Sequence, residues 1–204
     1  MSIIISRNEP GEAALNTVIG TESDWGLKQE VNKSEKEGCL CIAKGRMREK
    51  IESGLTQKQD TWGINDKKRL AGMARGVLGE YVIARYFNVL LDIRILGIHG
   101  DKNRFDLTLP DGSTASVKTF TMLGGHYIVH HRDPILTADW AILCYYNYRK
   151  YPQCVWIKGF ISKEKFNFPG TKFEKHYNNE VMEWGIMPEN FYPIEQLKQL
   201  TARV

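Results

Sequence analysis

Glu80, Asp106 and Lys118 follow one another as acid, acid and lysine, the first inside GVLGEYVIARYF and the other two within FDLTLPDGSTASVKTF. Carboxylates of this kind can hold a divalent cation, since magnesium takes oxygen ligands, keeps several waters and needs only one or two carboxylates. A cation so held activates water and stabilises negative charge on a phosphate. A lysine beside that water can orient it and offset developing charge. The chemistry these residue types suggest is phosphodiester hydrolysis. Ser116, two residues before Lys118, stands where that chemistry favours a further carboxylate.

Two elements must position the trio. Apolar spacing predicts a helix over 66–87, with Asn65 or Asp66 as N-cap and Leu70, Met73, Val77, Tyr81 and Ala84 as its buried stripe. Gly72, Gly76 and Gly79 each cost a helix about 1 kcal/mol relative to Ala. Their presence together implies close approach to a sheet or a ligand, with Glu80 on the side of Gly72 and Gly76. Strands at 104–109 and 114–120 flank Pro110-Asp111-Gly112-Ser113, a hairpin turn in composition. Folding back at that turn sets Asp106 opposite the next strand, where alternation places Ser116 and Lys118 on one face. Asp111 beside Pro110 belongs to the turn.

Elsewhere the pattern predicts a helix over 34–53, with Leu40, Ala43, Met47 and Ile51 inward and Gly54 as its stop. Strands are expected at 90–98, 126–131, 140–146 and 154–160, a short helix at 162–166, a loop at 168–179 and a closing helical turn at 193–200. Residues 1–30 read as an irregular arm with one short strand at 3–5. Length and pattern imply residues 1–60 as arm and basic helical segment and 61–204 as the main domain.

Composition is that of a soluble protein: 42% apolar, 25% charged, net charge +4. No apolar run reaches the roughly 20 residues of a membrane span, and the N-terminus lacks the pattern of a signal peptide. A cytoplasmic protein is expected. Cys39, Cys41, Cys144 and Cys154 form no CxxC pair and read as idle thiols in a reducing compartment. Residues 28–75 carry twelve Lys and Arg against seven acids. Such a surplus fits either phosphate contact or a solvated helical face. Lys44, Arg48 and Arg75 are the candidate phosphate-binding residues of this segment.

The order Glu80, Asp106 and SVK at 116–118 resembles the PD-(D/E)xK nuclease superfamily, in which a helix glutamate precedes a hairpin bearing Asp and (Asp/Glu)-x-Lys. GVLGEYVIARYF, RFDLTLPDGSTASVKTF, HYIVHHRD, ADWAILCYY, VWIKGFISKEKF and FYPIEQL resemble its phage- and prophage-associated members over residues 65–200. The resemblance implies a restriction-endonuclease-like α/β core, a mixed central sheet flanked by helices, behind a helical N-terminal extension. It implies a Mg²⁺- or Mn²⁺-dependent DNA endonuclease in the host cytoplasm, with DNA as partner, no membrane, and a homodimer as one arrangement. Glu80, Asp106 and the Val117 carbonyl would be metal ligands, and Lys118 the water-orienting lysine. Ser116 departs from the pattern and leaves three outcomes open: action through water, substitution by an acid such as Asp101, or loss of metal binding. The alternative function is a catalytically silent nuclease fold that binds nucleic acid or a host protein.

Two further clusters stand out. On a strand, His126, His130 and Arg132 share a face and are candidates to line a phosphate-binding cleft, Arg132 above all. Tyr145, Tyr146, Tyr148 and Tyr151 with Arg149 and Lys150 could stack bases, although a strand end running into an edge loop accounts for the same composition.

Overall fold

The computed structural model describes residues 25–52, 66–91, 105–121, 127–130, 135–177 and 180–202. The strands expected at 3–5 and over most of 90–98, the stop at Gly54, and Asp101 lie outside them.

A short strand, β1 (Leu27–Glu30), comes first, within what the sequence suggests is an irregular arm. Its LKQE composition carries little apolar signal; pairing with a distant strand creates it. Helix α1 (Lys33–Glu52) begins at a reciprocal cap. Glu35 N donates to Asn32 Oδ1 (2.9 Å), and Asn32 N donates to Glu35 Oε2 (2.7 Å), so two helix-start N–H groups are satisfied. Helix α2 (Asp66–Phe87) ends at Asn88, which adopts φ 56°. There Asn88 N donates to Arg85 O and Val89 N to Ala84 O, the paired closure that a left-handed residue permits.

The hairpin of β2 (Leu107–Thr108) and β3 (Thr114–Phe120) follows. Its turn is held by Leu109 N to Ser113 O, by Gly112 at φ 82°, and by Asp111 Oδ1, which accepts from Ser113 N and Oγ. Next come β4 (Tyr127–His130), β5 (Trp140–Tyr145), β6 (Cys154–Ser162), α3 (Lys163–Asn167), β7 (Phe173–Tyr177), β8 (Glu180–Ile186) and α4 (Ile194–Thr201). Strand β7 occupies part of the segment expected to be loop, drawn into order by β8.

Five strands form a mixed sheet in the order β1-β6-β5-β3-β2, with β3 and β5 parallel and the other pairs antiparallel. A second, antiparallel sheet has the order β4-β8-β7. On one face of the main sheet Ala115, Val117, Ile142, Cys144, Val155 and Ile157 pack against α1, α2 and α4. On the other, Ala141, Leu143 and Ile161 meet Phe166 of α3 and Ile186 of β8. The architecture is thus mixed α/β, with helices on both faces of the sheet. Trp25, which carries no readable signal in the sequence, is buried edge-on against Tyr145, Tyr151 and Trp156. Tyr192 bridges to Phe160 through both backbone hydrogen bonds and ties the approach to α4 onto β6.

The three glycines of α2 divide. A methyl at Gly79 would collide with Thr119 Oγ1 and crowd its Cβ at 3.3 Å, so helix and sheet touch there. At Gly76 no described atom lies within 4 Å, and at Gly72 the neighbour is Arg75 of the same helix. Close packing therefore explains Gly79 and not the other two. No described helix is long and apolar enough to cross a membrane.

Candidate functional site

Asp106 sits where β2 begins. Its N–H donates to Ala115 O (2.8 Å), and its Oδ2 accepts from Val117 N (2.6 Å). Strand β2 pairs with β3 only at Ala115 and Thr114, so beyond Ala115 it is the Asp106 carboxylate that continues the contact along the β3 edge. The N–H and C=O of one strand residue project to the same edge. The Val117 carbonyl therefore faces the side from which Asp106 approaches.

Glu80 reaches the same region from α2. It is 7% exposed, and burial raises its carboxyl pKa. The Arg46 hydrogen bond and charge lower it, the Asp106 charge raises it, and the Lys118 charge lowers it. Residues twenty-six and thirty-eight positions away in sequence thus act on Glu80 through space. Arg46 Nη1 donates to Oε1 at 3.0 Å, and Nη2 stands 2.8 Å from Oε2. The second contact is an ion pair without hydrogen-bond angles, so Oε2 remains a buried oxygen with no hydrogen-bond donor.

Lys118 is exposed and Ser116 is buried on β3. Alternation sets both on the face of Ala141 and Leu143, opposite Val117 and Thr119, which meet α2. Glu80 and Lys118 therefore belong to opposite faces of the sheet, and the Lys118 charge acts on Glu80 through space.

Two carboxylates, one with a buried oxygen lacking a hydrogen bond, and one edge carbonyl fit an ion that needs few protein oxygens. Among the described residues no group of three or more His, Cys, Asp or Glu could hold a metal ion.

Sequence reasoning missed Arg46 as the partner of Glu80. It stood among the basic residues of 28–75, but nothing local links it to a glutamate on another helix. The pairing follows from α1 running antiparallel to α2: Glu35, early in α1, meets Tyr81 and Arg85, while Arg46, later, meets Glu80. That direction brings exposed Lys44 and Arg48 toward the earlier part of α2, which contains Arg75. Arg75 lies over the Tyr148 ring, 5.8 Å from its centre.

His130 lies in β4, where its backbone pairs with Glu183 in the second sheet; its side chain, with Arg132 and His126, lies outside the described residues. Cys39 and Cys144 are buried, and burial pushes their thiols up to about 11 and about 12, so neither is a ready nucleophile. Compared with protein-family models, curated proteins and solved structures, the chain matches none.

Proposed function

We propose that the chain is a Mg²⁺- or Mn²⁺-dependent DNA endonuclease, phage- or prophage-encoded, on a restriction-endonuclease-like core. The observation that supports this reading is the Asp106 carboxylate bonded to Val117 N at the β3 edge, with the charges of Asp106 and Lys118 both acting on the buried Glu80. Glu80, Asp106 and the Val117 carbonyl would hold the cation. When bound, it supplies a polarised water and positive charge against the phosphate. Lys118 stands on the solvent side, where an ammonium can orient that water and offset charge on the phosphate. Asp106 is held by its bond to Val117 N, so its second oxygen has a fixed aim. Arg46 opposes the rise that burial gives the Glu80 carboxyl. Lys44, Arg48 and Arg75 supply cations for the DNA backbone.

The test is cleavage of duplex, single-stranded and branched DNA with Mg²⁺ or Mn²⁺, beside Asp106→Ala and Lys118→Ala. Cleavage that both variants abolish supports the reading. No cleavage of any substrate, or cleavage that survives both substitutions, sinks it.

One observation favours a second reading, a silent fold that binds nucleic acid or a protein. Glu80 already has a cation, the Arg46 guanidinium, and Ser116 offers no anionic oxygen. Calorimetric titration with Mn²⁺ separates the two: the enzyme binds the ion in a manner lost in Asp106→Ala, and the silent fold does not bind it.

A further inference from the structure

Of the four tyrosines in 145–151, Tyr145 and Tyr146 are buried and Tyr151 packs on Trp25 and Trp156. Tyr148 is different: it is 45% exposed. Two guanidinium groups reach its ring, Arg75 from α2 at 5.8 Å and Arg149 at 5.7 Å from the centre. Among the described residues neither arginine makes an ion pair. No acid occurs between Asp139 and Glu164, a stretch that carries Arg149, Lys150, Lys158 and Lys163.

The turn that carries the ring is also held in place. Asn147 Oδ1 accepts from Arg149 N (3.2 Å) and Lys150 N (3.1 Å), and Asn147 O accepts from Tyr151 N (2.8 Å). Asn147 Nδ2 donates to the buried Tyr145 hydroxyl (3.2 Å), which anchors the turn to the sheet. An aromatic side chain on a fixed turn has less to order when a ligand covers it.

We infer that Tyr148 is a stacking platform for an unpaired base, with Arg75 and Arg149 on the flanking phosphates, so that this face takes single-stranded nucleic acid. The open part of this half-exposed ring can take an unpaired base, whereas the bases of a duplex are already stacked on one another. The guanidinium groups lie over the ring at the limit of cation–π contact and can turn from it to the phosphates on either side of that base. The inference rests on the reading of DNA as partner and adds the strand state that this face selects.

The experiment is fluorescence anisotropy of the full chain with a labelled oligothymidylate of about 16 nucleotides and with a duplex, both in EDTA so that cleavage plays no part. Tyr148→Ala is expected to weaken oligothymidylate binding about tenfold, Tyr148→Phe to retain it, and the duplex to be little affected. Arg75→Gln and Arg149→Gln are each expected to reduce the salt dependence of single-strand binding by about 0.7 in slope. Thermal melts verify that each variant is folded. The inference is overturned if Tyr148→Ala binds oligothymidylate as the parent does, if Tyr148→Phe falls as far as Tyr148→Ala, or if the duplex loses as much. It is equally overturned if polyglutamate, which has no bases, binds with the same dependence on Tyr148. Metal-dependent cleavage is scored separately. A chain that stacks but does not cut refutes the endonuclease alone, and one that cuts without Tyr148-dependent binding refutes the platform alone.

Discussion

Arg46 and Glu80 meet in a two-pronged contact between α1 and α2, with N–O distances of 3.0 and 2.8 Å and the carboxylate almost wholly buried. A buried charge whose partner is removed keeps its desolvation cost and loses its compensation.

Arg46→Ala is therefore expected to destabilise the fold by about 3 kcal/mol, and by less at acid pH. Burial lifts the Glu80 carboxyl above its ordinary range, and Arg46 opposes the lift. A raised carboxyl favours the folded state most below the unfolded pKa, and that advantage is lost as pH rises through the folded value. Removing Arg46 widens the window. Urea unfolding between about pH 4 and pH 7 should show a steeper loss for Arg46→Ala than for the parent. In the double variant with Glu80→Gln that excess should vanish, and a persistent excess would contradict the assignment.

Asp106 combines a structural bond with the proposed chemistry, and two substitutions separate them. Asp106→Ala leaves Val117 N without its acceptor, at a cost of about 1–3 kcal/mol. Asp106→Asn keeps a carbonyl oxygen there and loses the charge. Near-parental unfolding with at least a hundredfold loss of cleavage, about 3 kcal/mol in the barrier, is the result expected for Asn.

Gly79 and Gly76 should respond in opposite directions to the same change. Gly79→Ala meets Thr119 Oγ1 and is expected to lose about 1–3 kcal/mol, more than the helix propensity it gains. Thr119→Ala should recover most of the loss. Gly76→Ala has no described atom to meet and should gain about 1 kcal/mol. Denaturant unfolding of Gly79→Ala, of Gly79→Ala combined with Thr119→Ala, and of Gly76→Ala checks this, and equal effects at the two glycines would contradict the packing.

Glu35 caps α1 and also accepts from Tyr81 and Arg85. Burial works against its charge, but the Asn32 N–H, the Tyr81 hydroxyl and Arg85 together hold its pKa below the usual carboxylate range. A depressed carboxyl contributes stability above its ordinary pKa, and that stability is lost as pH falls through the lowered value. Glu35→Gln is expected to cost about 1–2 kcal/mol near neutrality and to flatten the acid limb of the stability profile. Thermal melts from neutral to acid pH measure both.

Sequence disclosed most where the physics is local. The Pro110–Ser113 turn, the span of α2 and the strand at Thr114–Phe120 follow from turn chemistry and periodicity, and the structure repeats them. It disclosed least where a partner makes the element. LKQE becomes β1 because β6 offers its edge, and FEKHY becomes β7 because β8 does. The trio Glu80, Asp106 and Lys118 was legible as an order of residue types, and the charges of the latter two act on Glu80. The opposite faces of Glu80 and Lys118, and the claim of Arg46 on Glu80, were not legible, because each depends on how α1 and the sheet pack against α2. Tyr148 was visible only as one tyrosine in a cluster; burial of its neighbours singles it out.

Strand β6 accepts β1 along one edge and β5 along the other, and Tyr192 closes on its far end. During synthesis this sets an order of events. Leu27 has no partner until Ile157 has emerged, so the early strand must wait while most of the chain is made. The hairpin and the α1–α2 pair can form from nearby residues, but the sheet that backs them completes late. Until then the apolar face of α2 lacks its cover, and this interval is when the nascent chain is most exposed to aggregation.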